Sequence, residues 1–280
     1  YLGYARRLVE QGGTERSLEG PACDGPLSVR DAAPLQKDLA NFSAAISAHQ
    51  PGGGFLTASS PGVVSVFLQN QYYPNDDAYL EALADILKPE YEAIVGAGVT
   101  LQLDCPDLAM GRHVVHQNKS VAEFRSVAAR HIEVLNAATT DIAPESMRVH
   151  LCWGNYQGPH HHDIDLSNIL DLVYGLRPHA ISMEAANPRH EHEWTVFDDH
   201  PLPDGKVVIP GVIDSTSNFI EHPELVAQRL VRYANIVGKE NVMAGTDCGI
   251  GSRVGDPQIC WAKFQAMSEG AQIASKELWG

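Results

Sequence analysis

Apolar and polar positions along the chain sort into two alternating kinds of segment. Six short runs read as strands: Gly54–Ser60, Val99–Cys105, Met147–Trp153, Ala180–Ala186, Lys206–Asp214 and Asn241–Cys248. Several are apolar without clean alternation, as parallel strands buried on both faces are. Amphipathic stretches follow them at Asp77–Gly96, Val121–Ala138, Asp165–Leu176, Pro223–Val237 and Pro257–Trp279. The fourth has defined ends. Asn218 to His222 is turn-like, Pro223 suits a first helical position, Glu224 favours the helix dipole, and Gly238 closes the helix. Asp76 is the expected N-cap of the long helix before Gly98.

Strands alternating with helices predict a parallel sheet covered by helices. The 280 residues, 44% of them hydrophobic, suffice for one large core, and the length suits a TIM (β/α)8 barrel. Six β/α units are two short of that barrel, so an open doubly wound sheet is the alternative. Its dinucleotide-binding version is disfavoured, because no Gly-x-Gly-x-x-Gly follows any strand. The least regular parts are the Gly/Pro/Ser-rich opening (residues 10–35) and the loop Gly158–Asp163. Neither makes a linker, and a single domain over 1–280 is expected. Tyr1 is not a natural start residue, so the first barrel strands are expected to lie outside this chain.

Charge narrows the partners. A formal net charge of −15 argues against nucleic acid or an anionic membrane surface. No run reaches the roughly 18 apolar residues of a membrane span, and no signal region opens the chain. Five cysteines, odd in number and widely spaced, suit reduced thiols in a cytoplasmic protein rather than a disulfide framework. A homo-oligomer is left open.

The ends of the strands carry the chemistry. Ser59 and Ser60, Asp104 and Cys105, His150 and Cys152, Glu184, Asp214, and Asp247 and Cys248 all fall near strand C-termini, where parallel α/β folds build their sites. His150 and Cys152 are two apart in a strand, so both side chains point to one side. With Cys248 they offer nitrogen and thiolate donors that zinc favours. By itself the pair also reads as a satisfied buried histidine and an inert thiol. Glu184 reads equally as a ligand, a general base or a salt-bridge partner. Asp104 is either a loop cap or the counter-ion of a substrate ammonium. Cys105, adjacent to Asp104, faces the other way and ranks below Cys152.

The run His160-His161-His162-Asp163 tempts as a metal tract, but consecutive residues do not converge on one ion, and a solvated or substrate-gating loop is expected. Arg189, His190 and His192 follow Glu184 closely and are candidates for the mouth of the site. Tyr72 and Tyr73 are either pocket wall or plain aromatic packing.

With these residues in view, the chain resembles the catalytic domain of the cobalamin-independent methionine synthase superfamily from about residue 50 to its end. Arg148-Val-His-Leu-Cys152, Ser182-Met-Glu184, Gly245-Thr-Asp-Cys-Gly249 and Leu101-Gln-Leu-Asp104 with Pro106 match its strand motifs. Cys152-Trp-Gly-Asn-Tyr156, Gly158-Pro-His and Asn187-Pro-Arg-His190 resemble its single-domain branch, which includes the epoxyalkane:coenzyme M transferases. The resemblance implies an eight-stranded barrel with zinc on His150, Cys152, Glu184 and Cys248, and alkyl transfer to a substrate thiol. It implies that Asp104 binds the amino group of homocysteine. Small molecules, a thiol and an alkyl donor, are then the partners. Ser59, Ser60, Asp104 and Glu184 are expected to face substrate, and His150 and Asp247 to be catalytic.

Two departures stand out. The family's opening strands have no counterpart here, and Cys105 replaces the acidic residue that follows the matching Asp in methionine synthases. Methylfolate with homocysteine is the leading donor–acceptor pair, and an epoxide opened by coenzyme M the alternative. A non-catalytic zinc-stabilised protein and a metal-free decarboxylase of the uroporphyrinogen type are the competing classes.

Overall fold

A computed structural model of the chain describes residues 21–251 and 253–280. Its centre is one parallel sheet of six strands: β1 (Phe55–Ser59), β2 (Thr100–Asp104), β3 (Met147–Leu151), β4 (Ala180–Met183), β5 (Val207–Ile213) and β6 (Gly245–Thr246). Each strand pairs with the next in sequence order. A doubly wound sheet reverses its order part-way along. Strictly sequential pairing excludes that alternative and defines a curled half-barrel, a TIM barrel in part. Among the described residues β1 and β6 are the two free edges.

The helices include α1 (Ala33–His49), α2 (Pro61–Phe67), α3 (Asp76–Gly96), α4 (Val121–Ala138), α5 (Leu170–Tyr174), α6 (Pro223–Val237) and α7 (Pro257–Trp279), with the short helical segments Met110–Val114 and Val196–Asp199 and several 3-10 turns between. Local sequence explains their ends. Ser120 and Glu123 form a reciprocal capping box at α4. His222 caps α6, Pro223 opens it, and Gly238 at φ 91° ends it. The cap of α3 is Asn75, whose Oδ1 accepts from Ala78 N at 2.8 Å, and not Asp76, which is the first helical residue.

Other boundaries also differ from expectation. Asp165–Leu176 splits into a 3-10 turn, Leu166–Asn168, and the short α5. The run Asn241–Cys248 yields only two strand residues, and α1 and α2 were not expected at all. Of the irregular opening, residues 10–20 lie outside the described residues. The rest includes Ala22–Cys23, which pairs with Gln69–Asn70.

The two faces of the sheet differ sharply. Leu56, Leu101 and Met147 lie in one register on the outer face, and Ala58, Leu103, Val149, Ile181 and Val208 in the next. Most of these belong to the main core beneath the helices. The inner face carries Thr57, Gln102 and Arg148 in one row and Ser59, Asp104, His150, Ser182 and Ile209 in the row above. Strands buried on both faces were expected. Instead the inner face is polar and partly open, and alternation emerges once the faces are separated.

Candidate functional site

The inner face borders a cavity of about 360 Å³ lined by Thr57, Gln102, Arg148, His150, Ser182 and Cys248 among others. Arg148 Nε donates to Gln102 Oε1 at 2.6 Å, its guanidinium lies 3.3 Å from the centre of the Phe55 ring, and burial lowers it to about 10. Above that row, at the strand C-termini, three metal-type donors converge.

His150 ends β3 one residue before Leu151, Cys152 follows that strand, and Cys248 stands two residues past β6. Their donor atoms all lie within 4.8 Å of one another. The Cys152 and Cys248 sulfurs are 3.5 Å apart. That contact holds the Cys248 thiol far below its usual value, with His150 adding to the effect, while the same contact and burial raise Cys152. The pair therefore gives up its first proton readily and keeps its second. Burial alone would lower His150, but Cys248, Asp104 and Glu184 raise it on balance.

The donor set fits a divalent metal. His150 Nδ1 lies 3.3 Å from Ser182 Oγ, whereas its Nε2 is buried with no hydrogen-bond partner. An imidazole oriented through one nitrogen and unpaired at the other, beside two sulfurs, has the form of a metal ligand with its outer support in place.

Glu184 lies just past β4 and is buried, but its carboxylate is not part of that convergence. One oxygen accepts from Trp153 N at 2.6 Å and the other from Asn187 Nδ2 at 2.9 Å. Burial raises its pKa, against the Trp153 hydrogen bond. Asn187 Nδ2 also donates to Asp247 Oδ2 at 3.0 Å.

Asp247 itself is 1% exposed and accepts from Ala185 N and Ala186 N at 2.8 and 2.7 Å. Burial, then the nearby Glu184, push it up to about 7. It packs so closely on β5 that a Cβ at Gly211 would stand 2.0 Å from its Oδ1. Through these bonds Asp247 braces the backbone after β4. Asn187, which ties it to Glu184, was missed because no spacing rule marks it.

The remaining expectations divide. Asp104 shares the inner row with His150, and burial raises its pKa. Ser59 is exposed beside it in register. Ser60 is a correction: it is buried, its Oγ accepts from Val63 N as the cap of α2, and it donates to Asp107 Oδ1 at 2.8 Å. Its neighbour in sequence takes the inner face, so the pleat turns Ser60 away from the cavity. Cys105 is fully buried in the core on the outer side, as its parity predicted. Asp214 caps a turn through Thr216 N. Tyr73 stacks on Tyr79 and accepts from Leu27 N, so packing is its role, while Tyr72 is 51% exposed.

The histidine loop, expected to be solvated or to gate substrate, is only partly solvated. His161 and His162 are exposed, but His160 and the Asp163 side chain are not. Of the segment after Glu184, His190 is buried, while Arg189 and His192 are exposed.

Comparison with known proteins agrees with this geometry. Residues 54–272 match the model of the cobalamin-independent synthase catalytic domain, and the chain belongs to that family. It is 28% identical over 172 residues to 2-hydroxypropyl-CoM lyase of Xanthobacter autotrophicus, covering 52% of this chain and 45% of that one. To methionine synthase of Saccharolobus solfataricus it is 23% identical over 228 residues, covering 80% and 59%. The chain thus spans about half the length of the curated relatives it matches. A B12-independent methionine synthase from Shewanella sp. W3-18-1 superposes with a TM-score of 0.69 at 21% identity, over 91% of this chain and 70% of that one, which shows the shared fold. No described helix is long and apolar enough to cross a membrane.

Proposed function

We propose that this chain catalyses transfer of a methyl or alkyl group to a substrate thiol, with zinc held by His150, Cys152, Cys248 and Glu184. The observation that carries the reading is the convergence of two thiols and an imidazole, whose Nε2 has no hydrogen-bond partner, at the cavity edge. Zinc there would keep a substrate thiol ionised near neutral pH. Two thiolates and a carboxylate make the site electron-rich, which suits alkylation of sulfur better than activation of water.

The chain's own residues supply the rest. Trp153 N and Asn187 hold Glu184 to one side, which suits a ligand that yields its place to the incoming thiol. Asp104, on the same row as His150, offers a carboxylate to the ammonium or other polar end of that substrate. Ser182 orients His150, and the half-barrel aligns the alkyl donor with sulfur.

Methylfolate with homocysteine is the leading pair. The similarity to 2-hydroxypropyl-CoM lyase supports the second, an epoxide opened by coenzyme M. The test incubates zinc-loaded protein with each pair and looks for the thioether by mass spectrometry. Product from either pair assigns the donor. Absence of both, with stoichiometric zinc bound, rejects these substrates.

A further inference from the structure

Beside the cysteine cluster lies a second group of donors that shares none of its residues. Its centre is Asp163, whose side chain is 0% exposed. Oδ1 of Asp163 is 2.9 Å from His113 Nδ1, and Oδ2 is 2.7 Å from His160 Nδ1 and 3.1 Å from His190 Nε2. The four residues come from three places: the helical turn Met110–Val114, the loop after β3, and the loop after β4.

The hydrogen-bond inventory of this group does not close with neutral rings. His160 Nε2 lies 2.8 Å from the Tyr156 carbonyl, and His190 Nδ1 is 2.8 Å from Glu193 Oε2. Every nitrogen of both rings therefore faces an oxygen that only accepts, as long as the carboxyls are ionised. A neutral imidazole brings one N–H and one lone pair. Two lone pairs would point at buried oxygens unless the rings are protonated, as His190 is in metal-free protein, or a metal ion sits among them.

At His160 a metal ion meets that demand with its other ligands already placed. His160, donating Nε2–H to a backbone carbonyl, is left with its Nδ1 lone pair toward Asp163, the arrangement that outer-sphere carbonyls impose on metal-binding histidines. One ring nitrogen each of His113 and His160 and a carboxylate oxygen of Asp163 all lie within 4.8 Å of one another. The His113 and His160 side chains are 15% and 11% exposed, which leaves a path in from solvent.

We propose that His113, His160 and Asp163 form a second metal site, for a first-row divalent ion on two imidazoles and one carboxylate. The ion ties the loop after Cys152 to the turn Met110–Val114. His190 hydrogen-bonds Asp163 and its ring lies tilted against Trp153, centroids 4.3 Å apart, so the clamp reaches the residue next to Cys152. The site is independent of the thiol-transfer reading.

Cobalt(II) separates the two sites, because only thiolate ligands give it a strong sulfur-to-metal charge-transfer band. Metal-stripped protein is titrated with cobalt(II) and followed by calorimetry and absorption. The expectation is two equivalents in the unaltered chain, one with the band and one without. His113→Gln and His160→Ala each lose the equivalent without the band and keep the other. Cys152→Ser with Cys248→Ser loses the band alone. A single equivalent without the band, lost in His113→Gln, would uphold this site and sink the cysteine one. If all bound cobalt shows the band, or the second equivalent survives in both histidine variants, the proposal is overturned. His113→Gln keeps size and polarity at a partly exposed position, so the test stands even where His160→Ala fails to fold.

Discussion

The sulfurs of Cys152 and Cys248 meet at 3.5 Å across 96 positions of sequence. One follows the third strand of the sheet and the other the sixth, so only the curl of the half-barrel brings them together. Their contact, with His150 beside them, defines the donor set proposed to hold zinc at the cavity edge.

Removing one sulfur should therefore empty that site. Cys248→Ser is expected to lower zinc affinity by more than the roughly 10–100-fold that loss of an outer-sphere partner costs. Elemental analysis of dialysed protein that also carries His113→Gln, so that only this site is counted, measures it. A variant that retained full zinc in this site would refute the ligand assignment.

Ser60 separates capping from substrate contact. Ser60→Ala removes the cap of α2 and strands Asp107 Oδ1, and should cost about 1–2 kcal/mol of stability. Zinc content and the KM for thiol should not change. An altered KM with unchanged stability would restore the residue to the cavity.

Asn187 joins two buried carboxylates, Glu184 at 2.9 Å and Asp247 at 3.0 Å. Asn187→Ala leaves an oxygen of each without that donor, at a cost of roughly 1–3 kcal/mol per unpaired group. The denaturant midpoint should fall and turnover with it, whereas a surface residue such as Arg189 should tolerate alanine. An unchanged midpoint would mean that water replaces the amide.

His190 gives the stability a pH dependence whose sign is set by its neighbours. Burial opposes the charged ring, but Asp163 and Glu193 hold it up to about 9, above its ordinary 6.5. A raised folded-state value stabilises fully below the unfolded value and is lost as pH rises through the folded one. Metal-free protein should thus lose roughly 3 kcal/mol between pH 6.5 and pH 9, counted once for the whole coupled group. Chemical denaturation across that range measures it. His190→Gln should flatten the profile, and an equally steep slope in that variant would place the titration elsewhere.

Much of the fold was legible because its signals are local. Periodicity located α4 to the residue, and periodicity with end signals did so for α6. The helix Ala33–His49 escaped notice because it buries only Leu39, so its pattern carries little of the core. The two-residue strand Gly245–Thr246 was over-extended because apolar content does not reveal where pairing stops.

By itself the sequence determined the order of strands and helices, the placement of polar residues at strand ends, and the parity that puts His150 and Cys152 on one side and Cys105 on the other. These are properties of a residue and its near neighbours. The tertiary structure alone decided which strand ends meet. It joined Cys248 to Cys152, drew Glu184 aside onto Trp153 and Asn187, tied Asp247 to the backbone after β4, and set His113 and His190 around Asp163. Those outcomes depend on the curl of the sheet and on contacts between distant loops, where the hydrogen-bonding demands of buried polar groups, not sequence spacing, choose the partners.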